Sequence, residues 1–463
     1  MTLSMNVILA VSLCALALVS LAASPRVRTV DGFFHGADEA GGAPGLWTLV
    51  LSQVTTWIFA RSLLNAALLG YAFGISGALG YTAYYLSFLT GGLIVDRLRF
   101  ARGYRNIQSF MRDEYGPFGV ITFNILIALR LVSEVFANLL VVGLIFGLAG
   151  TWSYYAAIAF VTAMTLVYSL LGGLRASLRT DVVQMLLFMA MMIVIMAVVF
   201  FKPDFSATAI AASSPNIASP GWILLAVALL QVIAYPMHDP VMMDRGWLAD
   251  RKTSWWSFVH AFWLSALCIL AFGLVGVYAG LHKVSGEAMM QTFERLFDRN
   301  TLILINVALL VSAMSTLDSA LASAAKLAIV DMKLASPTVA NGRVAMAAFT
   351  VAGVLLLLTG SKDLFAAVAI SGTAAMFLTP VILFGLLAGW RVPLWSYQTS
   401  FTLAFAGSLI YFLDSSGYTK IVASLFGPLH TYTLLLIINL AIFVGSCLAF
   451  VVGHFANRTS HAS

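Results

Sequence analysis

Charge is what this sequence has least of. Asp, Glu, Lys and Arg make up only 10% of its 463 residues, against about 25% in soluble globular domains. Too few charges to cover a water-facing surface exclude an ordinary soluble fold. Cysteine is almost missing as well. Cys14, Cys268 and Cys447 all lie inside apolar runs, which excludes a disulfide scaffold, and no CxxC or HExxH pair offers a zinc site. Long hydrophilic stretches are absent too. The longest connections are 24–45, 96–116, 202–220 and 282–300, so no appended soluble domain is expected.

What is present is apolar: 61% of the residues are hydrophobic. A bilayer span takes about 20 such residues, and the runs divide into thirteen. They lie near 4–23, 46–71, 75–95, 117–148, 152–171, 181–201, 221–242, 256–281, 301–331, 343–360, 363–389, 396–413 and 429–453. No Lys or Arg precedes the first run and it is long enough to cross, so it reads as a span and not a secretory signal. The net charge is +6. With the N-terminus outside, 16 of the 25 Lys and Arg fall in cytoplasmic segments and 6 outside. Arg61, Arg130 and Lys326 lie within spans. Cationic loops stay cytoplasmic, so the expectation is a multi-pass cell-membrane protein with its N-terminus out and C-terminus in. The excess charge therefore points to no nucleic acid. Segment 284–297 suits a short outer helix or a surface turn.

Two spans look interrupted. Span seven carries Pro236 and Pro240 in "LLQVIAYPMHDPVMMDRG". Proline removes a backbone donor and clashes with the preceding turn, and in a bilayer the freed carbonyls are tolerated where they line a cavity. Span two, "SQVTTWIFARSLLNAALLGYAFG", holds Arg61 and Asn65 at mid-membrane. The two spans are five apart. That fits an inverted repeat of five plus five helices with discontinuous first members; a plain proline kink fits span seven equally.

Polar residues inside spans are costly and mark function. In span nine, Ser312, Ser315, Thr316, Ser319, Ser323 and Lys326 share one helical arc, with Asp318 beside Ser315. Hydroxyls with a carboxylate are hard oxygen donors of the kind that replace the water of an alkali cation; such serines also bond their own helix carbonyls. Asp181 opens span six in "RTDVVQ", either as an N-cap with Gln184 in a capping box or as a carboxylate receiving cations. Arg130 and Glu134 are four apart and can pair. Arg61 has no local partner. Arginine's planar fork suits a carboxylate, so Arg61 and Arg130 are candidate solute contacts, with Trp57 and Tyr235 as aromatic candidates. His238–Asp239 can relay protons or hold the kink.

These residues, taken in order, resemble the sodium:solute symporter family. "RVRTVDGFFHGADEAGGAPGLWTL" is similar to its first cytoplasmic stretch. "GGLRASLRTDVVQ" resembles its Gly-Gly-Leu…Thr-Asp signature, "DPVMMDRGWLADRKTSWW" its Gln-Arg loop, and "SAMSTLDSALASAAKLAIVDM" its Ser-Thr-x-Asp-Ser motif. Met243-Asp244-Arg245 stands where Gln-Arg is common, and Asn65-Ala66-Ala67 where the family has glycine. The resemblance implies an all-α polytopic protein with a LeuT-like 5+5 repeat. Expected divisions are 1–45 as an extra span and loop, 46–201 and 202–389 as the repeats, and 390–463 as two further spans and a tail.

The resemblance also implies Na+ as coupling ion. Ser315 and Thr316 would offer hydroxyls, Ser312, Thr55 and Ile58 backbone carbonyls, and Asp181, Asp318 and Ser319 a second cation site or release path. The expected function is sodium-coupled symport of a small organic solute, a carboxylate such as an amino acid or organic acid, and not an enzyme. Alternatives are a transporter-like sensor working with a separate kinase, since no kinase is attached here, or proton-coupled symport. Expected partners are the solute and lipid, with no obligate protein partner.

Overall fold

The computed structural model describes residues 4–359 and 364–460; Lys362 and the meeting point of the two spans expected at 343–360 and 363–389 lie outside them. The described residues are helices and connections, with no strand among them. In chain order the main helices are α1 Met5–Ala23, α2 Leu46–Trp57, α3 Ala60–Phe73, α4 Ile75–Ala101, α5 Ile107–Phe146, α6 Trp152–Phe200, α7 Pro220–Gln231, α8 Pro240–Gly246, α9 Arg251–Leu281, α10 Met289–Leu296, α11 Arg299–Lys326, α12 Val339–Thr359, α13 Leu364–Ala375, α14 Leu378–Leu387, α15 Leu394–Ser415 and α16 Thr431–Ser460. Eight helical stretches among the described residues are long and apolar enough to cross a membrane.

The solvent logic of a soluble protein is inverted. The largest fully buried side chains include Arg61, Arg130 and Arg245, while Leu129, Ile193, Val194 and Leu267 lie on the outer surface. Lipid accepts an aliphatic surface, whereas polar groups in a membrane protein face its interior.

The expected spans 152–171 and 181–201 both lie in α6, 49 residues in all. At 1.5 Å per residue that is about 74 Å, far beyond a hydrocarbon core of about 30 Å. Gly173 divides it, with φ 56° and ψ −137°, a conformation open mainly to glycine. The polar connection expected there is thus almost nothing: helix resumes at once, and Asp181 sits in a helix interior, so the capping-box reading of Asp181 and Gln184 is overturned. Gln184 instead donates to Ser20 of α1 at 3.0 Å.

Helices α3 and α9 cross at very short range. A Cβ added to Gly276 would lie 2.0 Å from the Ala67 carbonyl oxygen, so small residues let these backbones touch. Helix α11 packs on α6 and α5, and α2 packs on α6 and α9. Within 284–297, α10 forms the short helix that the sequence allowed.

Candidate functional site

Helix α2 stops at Ile58 (φ −87°, ψ 58°), Phe59 is extended (ψ 157°), and α3 starts at Ala60. No glycine or proline stands at the break. The carbonyls it frees are taken by side chains from elsewhere: the Tyr85 hydroxyl donates to Trp57 O at 2.7 Å, and the Ser312 hydroxyl donates to Ile58 O. Span seven breaks at its prolines into α7, a 3-10 turn at Tyr235–His238, and α8. Asp239 caps α8, accepting from Met242 N at 3.0 Å. At both interruptions side chains bond part of the freed backbone, as broken helices at membrane depth require.

Beneath the breaks lies an acidic cluster shared by α2, α6, α8 and α11. Asp181 Oδ2 accepts from the Ser52 hydroxyl at 2.6 Å, and Oδ1 accepts from the Ser315 hydroxyl at 2.7 Å. Thr180 donates to Asp318 Oδ2 at 2.7 Å, and Ser177 links Asp318 and Ser319 at 3.3 and 2.7 Å. Arg245 closes the cluster. Its Nη2 is 2.8 Å from Ser319 Oγ and 3.3 Å from Asp181 Oδ2, and its Nε donates to Ser52 Oγ at 3.0 Å. Asp181, Asp318 and Arg245 are essentially inaccessible to solvent. Two acids face one base, so the cluster is formally one positive charge short of neutrality.

The expected cation residues thus gather in one place. Ser312 and Ile58 touch, Ser315 and Ser319 reach Asp181, and Thr55 is buried on the last turn of α2. Thr316 bonds the Ser312 carbonyl of its own helix at 3.0 Å, and Lys326 pairs with Asp244 at 2.5 Å and Asp331 at 3.4 Å. The donor chemistry fits a small hard cation: hydroxyl, carboxylate and carbonyl oxygens and no sulfur.

Above it, at the helix break, the arrangement differs. Arg130 holds two acids, with Nη1 3.3 Å from Glu134 and Nη2 2.9 Å from Asp239, while its Nε has no hydrogen-bond partner. That commitment corrects the expectation that Arg130 offers its fork to a solute: a guanidinium already holding two carboxylates has little left to give. Asp239 is likewise spent on Arg130 and the α8 cap, and His238 Nε2 meets Ser371 Oγ at 3.2 Å, so the proton-relay reading of that pair loses its acid. Arg61 is the opposite case. Among the described residues no acid lies within ion-pair distance of it, and its Nε and Nη1 have no hydrogen-bond partner although it is 1% exposed. Both guanidinium groups lie against the Phe59 ring, at 5.2 and 5.7 Å.

Arg61 belongs to a run that sequence reading passed over. Gln53, Trp57, Arg61 and Asn65 are four apart along the broken span, and each carries a buried polar atom without a partner: Gln53 Nε2 and Oε1, Trp57 Nε1, Arg61 Nε and Nη1, Asn65 Nδ2. Most of these are donors. Next to them Trp57 packs on Tyr85, Phe88 and Tyr235 at 5.5, 5.1 and 5.4 Å. A cavity of about 20 Å³ lies among Trp57, Phe59, Ser62, Tyr81, Tyr84 and Tyr235. That space suits about one water, so a solute enters only when the aromatic side chains part. Ser52, Ser177, Thr180 and Arg245 were also missed. Ser177 stands four residues before Asp181, a helical spacing that was there to be read; nothing local to Arg245 points to Asp181.

Residues 39–249 match the model of the sodium:solute symporter family. No curated protein matches the chain by sequence. Among solved structures, the chain is similar to a Na+-coupled sialic acid symporter in a substrate-bound outward-open state. The TM-score is 0.73 and the identity 15%, with 97% of this chain and 98% of that one covered. It is also similar to Mhp1, a nucleobase-cation-symport-1 family transporter, in a closed conformation with bromovinylhydantoin bound. There the TM-score is 0.56 and the identity 14%, with 92% and 94% covered. At these identities the likeness is one of fold, the LeuT-like arrangement of broken helices.

Proposed function

We propose that this chain, whose residues 39–249 match the model of the sodium:solute symporter family, is a multi-pass membrane protein and secondary transporter that carries a small organic anion, a carboxylate such as an amino acid or organic acid, inward together with Na+. One observation carries the choice of solute. Arg61 is a buried cation with no acid within ion-pair distance among the described residues, and a buried charge is costly until it is paired. A carboxylate beside it supplies that partner bidentately. The unpartnered donors of Gln53, Trp57 and Asn65 would take its remaining acceptors, and the Trp57–Tyr235 wall its apolar part.

The coupling ion would bind between Ile58, Thr55 and the α11 hydroxyls, with Asp181, Asp318 and Ser319 on a second site or release path. Support comes from the oxygen-only donor set and the charge deficit of the acidic cluster. Coupling requires only that each ligand bind better with the other present. An inside-negative potential adds about 2.3 kcal/mol per charge per 100 mV. We assign 46–201 and 202–389 as the two repeats, with the N-terminus outside and the C-terminus cytoplasmic, on the Lys and Arg distribution.

Uptake of a labelled panel of carboxylates, sugars and cations into proteoliposomes, with and without a sodium gradient, tests this reading. The expected result is sodium-dependent uptake of one or more carboxylates that Arg61→Gln abolishes. Uptake of only neutral or cationic solutes removes the anion assignment. Uptake that persists without sodium and collapses with a protonophore assigns the coupling to protons.

A further inference from the structure

Resting on the sodium-coupled reading, we propose that Arg245 is a tethered rival of the coupling ion: its guanidinium holds the oxygens of Asp181, Ser177 and Ser319 when sodium is away, and sodium binds there only by displacing it.

The oxygens are the same ones. Arg245 Nη2 lies 2.8 Å from Ser319 Oγ, 3.3 Å from Ser177 Oγ and 3.3 Å from Asp181 Oδ2. Its Nε reaches Ser52 Oγ, which in turn bonds that carboxylate oxygen. Asp181 and Ser319 are among the residues expected to receive a cation. With the arginine docked, each side-chain oxygen of Asp181 and Asp318 has a hydrogen-bond partner, so no lone carboxylate is left to draw an ion in. Two like charges a few ångströms apart in a low-dielectric interior repel strongly. Sodium and the guanidinium therefore exclude each other at Asp181.

The exchange is electrically even. Arginine and sodium each bring one positive charge to two acids, so swapping them leaves the cluster's formal charge unchanged and exposes no newly uncompensated carboxylate. A displaced arginine also moves something. Its Nη1 donates to the Val241 carbonyl of its own segment at 2.9 Å, which ties the guanidinium to α8. That segment is only seven residues long, follows the break at Tyr235–Asp239, and is also held by Asp244 to Lys326 of α11 and by Arg99 and Ser254, which donate to Gly246 O. Ion binding at Asp181 is thereby linked to the seating of α8, which follows directly on the turn whose Tyr235 lines the cavity at Trp57.

The test uses the purified full chain in lipid nanodiscs and measures equilibrium binding of radioactive sodium. Arg245→Ala and Arg245→Gln are expected to bind sodium at least tenfold more tightly, and Arg245→Lys to stay near the parent. In Arg245→Ala, free guanidinium at low millimolar concentration, well below denaturing levels, is expected to compete with sodium and restore the weaker parental affinity; in the parent it has no such effect. Hydrogen exchange gives a readout on the unaltered protein. Amides of Val241–Gly246 exchange several-fold faster in sodium than in choline. Unchanged or weaker sodium binding in the neutral variants overturns the proposal. So does exchange in the parent that ignores sodium, a measurement that stands even if the variants do not fold. Absence of any sodium binding, in parent and variants alike, removes the sodium reading itself, whereas equal affinity in all of them removes only the role of Arg245.

Discussion

The acidic cluster at Asp181 and the residues around Arg61 are both buried, yet they treat their polar groups in opposite ways. Below, every side-chain nitrogen and oxygen of Asp181, Asp318 and Arg245 is bonded. Above, four residues spaced by four along one span hold polar atoms with no partner. A buried polar atom left unpaired costs about 1–3 kcal/mol, more for a charged group, so folding alone would not keep the upper arrangement. The lower cluster is complete within the chain and, on the exchange proposed above, is opened by sodium; the upper site, on the proposed function, is completed by its solute. The two buried arginines at the helix break divide along the same line. Arg130 pairs with two acids, and Arg61 is the one assigned to the solute in the proposed function.

The sharpest way to break that division is to remove each arginine's charge. Arg130→Leu leaves Glu134 and Asp239 buried without a base, and loss of one partner from a buried pair costs about 3–5 kcal/mol. Thermal unfolding in detergent is expected to show a large drop in melting temperature. Arg61→Leu removes an unpaired buried charge, so its melting temperature holds or rises, while uptake falls by about a hundredfold, the worth of about 2.7 kcal/mol of charge-assisted bonding. Equal destabilisation by both changes would erase the distinction.

Asn65→Leu and Gln53→Leu come next. Replacing an unsatisfied amide by an apolar group of similar size is close to neutral for folding, so stability is retained while solute affinity falls, by about tenfold for one lost hydrogen bond of about 1.4 kcal/mol. Ser315→Ala with Thr316→Ala is expected to raise the sodium concentration for half-maximal uptake several-fold without changing which solutes are carried. Unaltered sodium dependence in that double variant removes both hydroxyls from the cation path.

The smallest effect is set by contrast with an exposed pair. Arg295 holds Glu287 on the outer segment at 2.7 Å, and hydrogen bonding from Arg295 lowers the Glu287 carboxyl to about 2. A carboxyl lowered on folding stabilises at pH above its ordinary value of 4.5, and that contribution is lost as pH falls towards about 2. Proteolysis of 282–297 is thus expected to rise modestly below pH 4.5, and Glu287→Gln to remove the dependence while leaving sodium-driven uptake intact. Exposed pairs are weak because water screens them.

Some of this was legible in the chain. The scarcity of charge and the run lengths dictated a membrane protein built of helices, since only internally bonded backbone survives in lipid. The proline pair at 236 and 240 marked one break, because proline acts on its own backbone. The α11 stripe was readable because helical spacing alone decides which side chains share a face. The break at Ile58 was not readable in that way: it lacks glycine and proline and is held by Tyr85 and Ser312 reaching in from other helices.

Local pattern therefore determined the class, the faces and the paired Arg130 and Glu134 four residues apart. Tertiary structure alone decided that Asp239 joins Arg130 across 109 residues, that Arg245 meets Asp181 across 64, and that Asp181 lies within a helix where a cap was expected. The reason is physical. Spacing along a helix is set by its own geometry, whereas the partner of a buried charge is set by the long-range packing that removes the pair from solvent.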